Sequence, residues 1–149
     1  MTAAPRPPAV DTPLSTQPPV TAHRTTAEAI VDGLLAHGVD TVFGLPGVQT
    51  YPLFEAFAAA EPRLRLIGAR HEQTCGYMAF GYAQSTGRLG VCSVVPGPGV
   101  LNASAALLTA QWTSTPGLCL TSAIPTHYLG RGPGHLQSME QQQAPLGPP

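Results

Sequence analysis

The chain has 149 residues, only 10% of them charged, with a net charge of −1 and three cysteines. That length suffices for one domain with a real core and falls short of two. So little charge excludes an electrostatic footprint for nucleic acid or for an anionic membrane, and no apolar run reaches the length of a membrane span.

Residues 1–24, MTAAPRPPAVDTPLSTQPPVTAHR, hold six prolines and almost no large apolar side chains. Such a segment buries too little surface to offset its ordering entropy, so a disordered Pro-rich tail is expected. It lacks the apolar centre of a secretory signal, which points to a cytoplasmic chain without export. Cys75, Cys92 and Cys119 are far apart and embedded in apolar sequence. They read as reduced core residues, neither a disulfide framework nor a metal site.

TTAEAIVDGLLAHG opens on Thr25 with Glu28 three residues later, a capping box, and closes on Gly38. Ala27, Ile30, Val31, Leu34 and Leu35 recur at helical spacing. DTVFGLPG then predicts a short strand and a glycine-rich turn. VQTYPLFEAFAAA predicts a helix that tolerates Pro52 in its first turn. RLRLIGA is a strand, residues 72 to about 86 a helix stopped by Gly87, LGVCSVV a strand, and PGPG a tight turn. VLNASAALLTAQWTST is a helix and PGLCLTSA a last strand. MEQQQAPLGPP has no periodicity, and residues 131–149 are expected to be poorly ordered or truncated. Helices alternate with short apolar strands that lack in/out alternation. The expected fold is a single α/β domain, an open doubly wound parallel sheet with helices on both faces.

In such sheets ligands sit beyond the carboxyl ends of the strands. Three turns fall there: Gly44–Gly47, the ARHE stretch with Glu72, and Pro96–Gly99 with Asn102 one helical turn later. No G-x-G-x-x-G or G-x-x-x-x-G-K is present, which demotes a Rossmann-type nucleotide binder. The glycines read instead as room for a flat group to approach the backbone. On the residues alone, Glu72 either complements the dipole of its helix or serves the cleft, and PGPG is either a plain strand-to-helix connection or a binding turn. His71 reads as a satisfied structural residue. Met78, Phe80, Tyr82 and Trp112 read as core or interface apolars.

VFGLPG, RHEQ, GYA…TG and VVPGPGVLNA…LLTA, in this order, resemble the N-terminal, pyrimidine-binding domain of thiamine-diphosphate-dependent enzymes over residues 25–130. The similar group is that of acetolactate synthase, benzaldehyde lyase and oxalyl-CoA decarboxylase. The resemblance implies that Glu72 is the catalytic carboxyl, hydrogen-bonded to a ring nitrogen of the cofactor's aminopyrimidine and promoting its imino form. A carboxyl in an apolar cleft is favoured in its protonated, donating form. It further implies a cofactor-binding set of Pro46, Gly47, Glu72, Pro96, Gly97, Pro98, Gly99 and Asn102, with no metal ligand in this chain. The cofactor implied is thiamine diphosphate. Its Mg2+ is held by a separate domain with a Gly-Asp-Gly motif and a later Asn, which this sequence lacks.

The small-residue stripe Gly76, Ala79, Ala83 and Gly87 lets a helix lie close on the sheet or, as the family's dimer mode implies, against a partner subunit. The expected partners are a 2-keto acid substrate and a diphosphate-binding chain in a homo- or hetero-oligomer, with no nucleic acid and no membrane. The sequence departs from the pattern where the family's last strand leads into a Gly-Gln pair, since TSAIPTHYLGRG stands there with Ser122 and Ala123. It also has Pro46 and Gln49 where benzaldehyde-lyase-like members place histidines. Two readings follow: the pyrimidine half-site of a carboligase or decarboxylase, or a truncated, non-catalytic fragment that only folds or self-associates.

Overall fold

The structure, a computed structural model, describes residues 24–126. Apart from Arg24, the tails expected at 1–24 and 131–149 lie outside the described residues.

Helix α1 (Thr26–Ala36) begins where its capping box puts it. The Thr25 hydroxyl accepts from the Glu28 amide at 3.2 Å, and the Glu28 carboxylate accepts from the Thr25 amide at 2.8 Å. There follow β1 (Thr41–Gly44), a 3-10 turn (Val48–Thr50), α2 (Tyr51–Ala59), β2 (Arg65–Gly68), α3 (Glu72–Thr86), β3 (Gly90–Ser93), α4 (Pro98–Trp112) and β4 (Gly117–Leu120). The strands form one sheet in the order β2-β1-β3-β4, every pair parallel. The central strands β1 and β3 are buried along their whole length, whereas the edge strands β2 and β4 are not. This is why the apolar runs lack alternation: VFG and GVCS are covered on both faces.

Two apolar layers do the covering. Val42 and Val91 point toward α1 and α2 and pack with Val31, Leu34, Phe54 and Phe57. Phe43 and Cys92 point the other way, with Val94, toward Cys75 and Ala79 of α3 and Ala103 of α4. Fully burying a side chain such as Phe57 contributes about 1.5–3 kcal/mol, so either layer can hold its helices in place. The chain runs from β1 outward to β2, then crosses back over β1 to β3. The strand order therefore reverses between β1 and β3, the position where doubly wound sheets open a crevice.

The small-residue stripe of α3 is used inside the chain. A Cβ at Gly90 of β3 would strike the Ala79 carbonyl and lie 3.3 Å from the Ala83 Cβ, and one at Gly76 would lie 2.7 Å from the Ala106 Cβ of α4. Gly87 caps the helix at φ 70°. The stripe thus seats α3 against β3 and α4, which corrects the reading of it as a partner-facing surface. A second difference is at PGPG: α4 already starts at Pro98, and Gly97 precedes it at φ 77°, a left-handed value that favours glycine. Among the described residues no helix is long and apolar enough to cross a membrane.

Candidate functional site

The sheet's hydrogen bonds continue past the strand ends and join the three turns. The Leu45 amide donates to the Ser93 carbonyl at 3.1 Å, and the Ala69 amide donates to the Gly44 carbonyl at 3.4 Å. Within the first turn, the buried Thr50 hydroxyl donates to the Gly47 carbonyl and accepts from the Gly47 amide, both at 3.0 Å. The second turn enters α3 through His71, whose Nδ1 accepts from the Gln73 amide at 3.2 Å as the helix N-cap. His71 is thus a capping residue, a structural role of the kind the sequence suggests without saying which.

The third turn brings α4 against the start of α3. Asn102 Nδ2 donates to Glu72 Oε2 at 3.0 Å, linking two residues 30 positions apart. Glu72 Oε1 has no hydrogen-bond partner among the described residues. Gly99 lies against the same side chain, since a Cβ there would come 3.6 Å from Glu72 Cγ. Val95, half-buried, fills the space between the first and third turns: Cβ atoms at Gly47 and at Gly99 would both run into its methyls. The structure therefore brings Gly47, Glu72, Gly99 and Asn102 to one rim, with Pro96 and Gly97 buried in the third turn. Pro46 and Pro98 stand exposed on the first and third turns, outside the Glu72–Asn102 contact.

One expectation changes. The space that a Cβ would occupy at Gly47 and Gly99 holds Val95, so these glycines let turn pack on turn instead of leaving open room there for a flat ring. Glu72 is half-buried. A cavity of about 600 Å³ does exist, but it lies between α1 and α2 among Arg24, Glu28, Asp32, Glu55 and Arg63, away from Glu72.

Sequence reading passes over Val95 and Ser93. Val95 is signalled only by being a β-branched residue next to a glycine turn. The Ser93 hydroxyl is buried at the end of β3 without a hydrogen-bond partner among the described residues, and nothing in GVCS marks it.

Comparison with known proteins bears on this rim. The family model described as "Thiamine pyrophosphate enzyme, N-terminal TPP binding domain" matches residues 24–144. The chain is similar to the probable 2-ketoarginine decarboxylase AruI of Pseudomonas aeruginosa, 41% identical over 124 residues that cover 83% of this chain and 22% of that protein. It is similar to the acetolactate synthase of Arthrospira platensis, 40% identical over 108 residues, 71% of this chain and 19% of that one. The acetolactate synthase large subunit of Parasynechococcus marenigrum is 40% identical over 106 residues, 70% of this chain and 17% of that one. The chain spans only 17–22% of the length of these relatives. With the parallel sheet and the matched residues agreeing, this chain belongs to the family of thiamine pyrophosphate enzyme N-terminal domains.

Proposed function

We propose that the chain provides the pyrimidine half-site for thiamine diphosphate in an acetolactate-synthase-like carboligase or a 2-keto acid decarboxylase. A separate diphosphate-binding domain holding Mg2+ completes the site, in a homo- or hetero-oligomer. The observation that carries this reading is the 3.0 Å bond from Asn102 to Glu72. It fixes one carboxylate oxygen of Glu72 at the switch-point rim and leaves the other without a partner among the described residues.

Thiamine diphosphate, when bound, supplies the carbanion chemistry. Glu72 would hold a proton toward the ring nitrogen through Oε1, and Asn102, donating to Oε2, would keep the carboxyl from turning away. The Val95 methyls would offer the bound group an apolar neighbour beside Gly47 and Gly99. The Pro96–Gly99 turn sets the distance between Asn102 and Glu72. The oligomer is supported by α4, which carries no charged residue and turns Leu101, Leu108 and Trp112 outward. A cytoplasmic setting is supported by three unpaired thiols. The share of the relatives' length that the chain covers supports a second reading, in which it folds on its own without turnover.

A chimera tests the first reading. The matching 108-residue segment of the Arthrospira platensis acetolactate synthase is exchanged for that of this chain, and acetolactate formation is measured with thiamine diphosphate and magnesium. The chimera is expected to be active, and its Glu72→Gln form to lose at least about 100-fold in rate, the scale of a positioned proton donor. A Glu72→Gln chimera as active as its parent would sink the assigned role.

A further inference from the structure

We propose that Cys92 and Cys119 are a hydroperoxide-responsive thiol pair, in which Cys119 is oxidised first and Cys92 then closes a disulfide across β3 and β4. The two are register partners in the parallel β3–β4 ladder. Neighbouring strands lie about 4.8 Å apart, within the roughly 4.4–6.8 Å Cα separation that a disulfide bridges. Both side chains join the apolar layer under α3 and α4, where the two thiols are neighbours on the same face of the sheet.

The pair is asymmetric. Cys92 is 1% exposed on a central strand, whereas Cys119 is half-buried on the edge strand. The neighbouring Cys92 thiol favours the Cys119 thiolate and lowers its pKa, while the same interaction and burial push Cys92 up. The thiolate is the form that attacks peroxides. Cys75 shares the layer, but it sits on α3 with no register partner, and its pKa is raised by burial and by the charge of Glu72. Among the described residues no group of three His, Cys, Asp or Glu is placed to hold a metal.

The steps balance. The Cys119 thiolate attacks one oxygen of hydrogen peroxide, an S–O bond forms as the O–O bond breaks, and hydroxide leaves. Cys92 gives its proton to that hydroxide, forming water. Its sulfur attacks the sulfur of the Cys119 sulfenic acid, an S–S bond forms, the S–O bond breaks, and the departing hydroxide takes up from solvent the proton that the Cys119 thiol released on ionising, forming a second water. Together the two thiols are oxidised by two electrons and one peroxide is reduced to two waters. A cavity of about 20 Å³ beside Cys92 has room for one molecule of water size.

The full chain is titrated with hydrogen peroxide, free thiols are counted, and linked peptides are identified by mass spectrometry. Two of the three thiols are expected to disappear together, with a loss of two hydrogens in mass and a Cys92–Cys119 linked peptide. Cys75→Ser keeps the link. Cys119→Ser loses it. Cys92→Ala, chosen because it leaves no buried hydroxyl, is treated at alkaline pH, where Cys119 ionises without its neighbour, and accumulates a sulfenic acid on Cys119 that dimedone traps. Circular dichroism confirms that each variant is folded. Thiols that stay unreacted in the folded chain, a link through Cys75, or no dimedone adduct on Cys119 in Cys92→Ala would each overturn the proposal.

Discussion

Asp40 collects three side-chain donors just before β1, at the edge of the sheet opposite Glu72. Tyr82 Oη donates to it at 2.7 Å, Arg88 Nη1 at 2.5 Å and Thr41 Oγ1 at 2.9 Å, while Arg88 also reaches the Gly38 carbonyl. The Tyr82 hydrogen bond, then that of Arg88, hold the Asp40 carboxyl at about 2, below its ordinary 3.8. Because the folded value is the lower one, the stability this carboxylate contributes is complete above its ordinary value and is lost as pH falls through about 2. The ion pair is nearly half exposed on both sides, so solvent screening keeps the effect small. Asp40→Asn is expected to melt a few degrees below the parent at neutral pH, and the gap should close on acidification toward pH 2. Thermal melting across that range measures it, and a gap independent of pH would show that the carboxylate charge is irrelevant. Glu72 has a single hydrogen-bonding side chain beside it, at the sheet edge where ligands bind. The two carboxylates thus divide by edge: one ties α3 and the loop before β1 together, the other is left half satisfied.

Between elements, the contacts that matter are made by what glycines omit. Val95 is held from two sides, since rotating it away from Gly99 drives a methyl at Gly47. A Cβ at Gly99 would stand 2.6 Å from Val95 Cγ2, and a β-branched side chain has few alternative rotamers. Gly99→Ala is therefore expected to cost about 1–3 kcal/mol, as overpacking does. Val95→Ala in the same chain should recover most of that loss. Chemical denaturation of the four proteins gives the coupling energy, and additive losses would mean that the two positions do not share a space. This packing was hidden in the sequence for a physical reason. Strands and helices announce themselves locally: the Thr25–Glu28 box, the unbroken GVCS run and the Gly87 stop are each read within one turn or one strand. Glu72 and Asn102 were legible because their motifs stand at strand ends. Asp40–Arg88, 48 positions apart, and Val95 between two glycines leave no periodic trace. Nor could the stripe on α3 say whether its close neighbour was β3 or another chain, because small residues permit either.

Across the whole molecule, charge is divided between the two faces of the sheet. The α1–α2 layer carries Glu28, Asp32, Glu55 and the Arg24–Asp32 pair at 2.6 Å. In the α3–α4 layer the only charged helical residue is Glu72, at the rim. On the outer face of α4, Leu108 is 63% and Trp112 88% exposed. Large apolar side chains exposed in this way are costly in water, and a face that carries them is a candidate for association. With no charge on α4, two copies can meet there without like-charge repulsion, so the isolated chain is expected to self-associate through it as concentration rises. Leu108→Glu combined with Trp112→Glu places like charges on that face. These side chains make little contact within the chain, so the change should alter folding stability by less than about 0.5 kcal/mol. Sedimentation velocity over a concentration series distinguishes the outcomes. The parent should shift to a faster-sedimenting species and the double variant should remain a monomer with an unchanged melt. A parent that stays monomeric throughout would mean that the α4 face does not bind a second copy of itself, and the oligomer of the proposed site would then have to be joined by surfaces other than this helix.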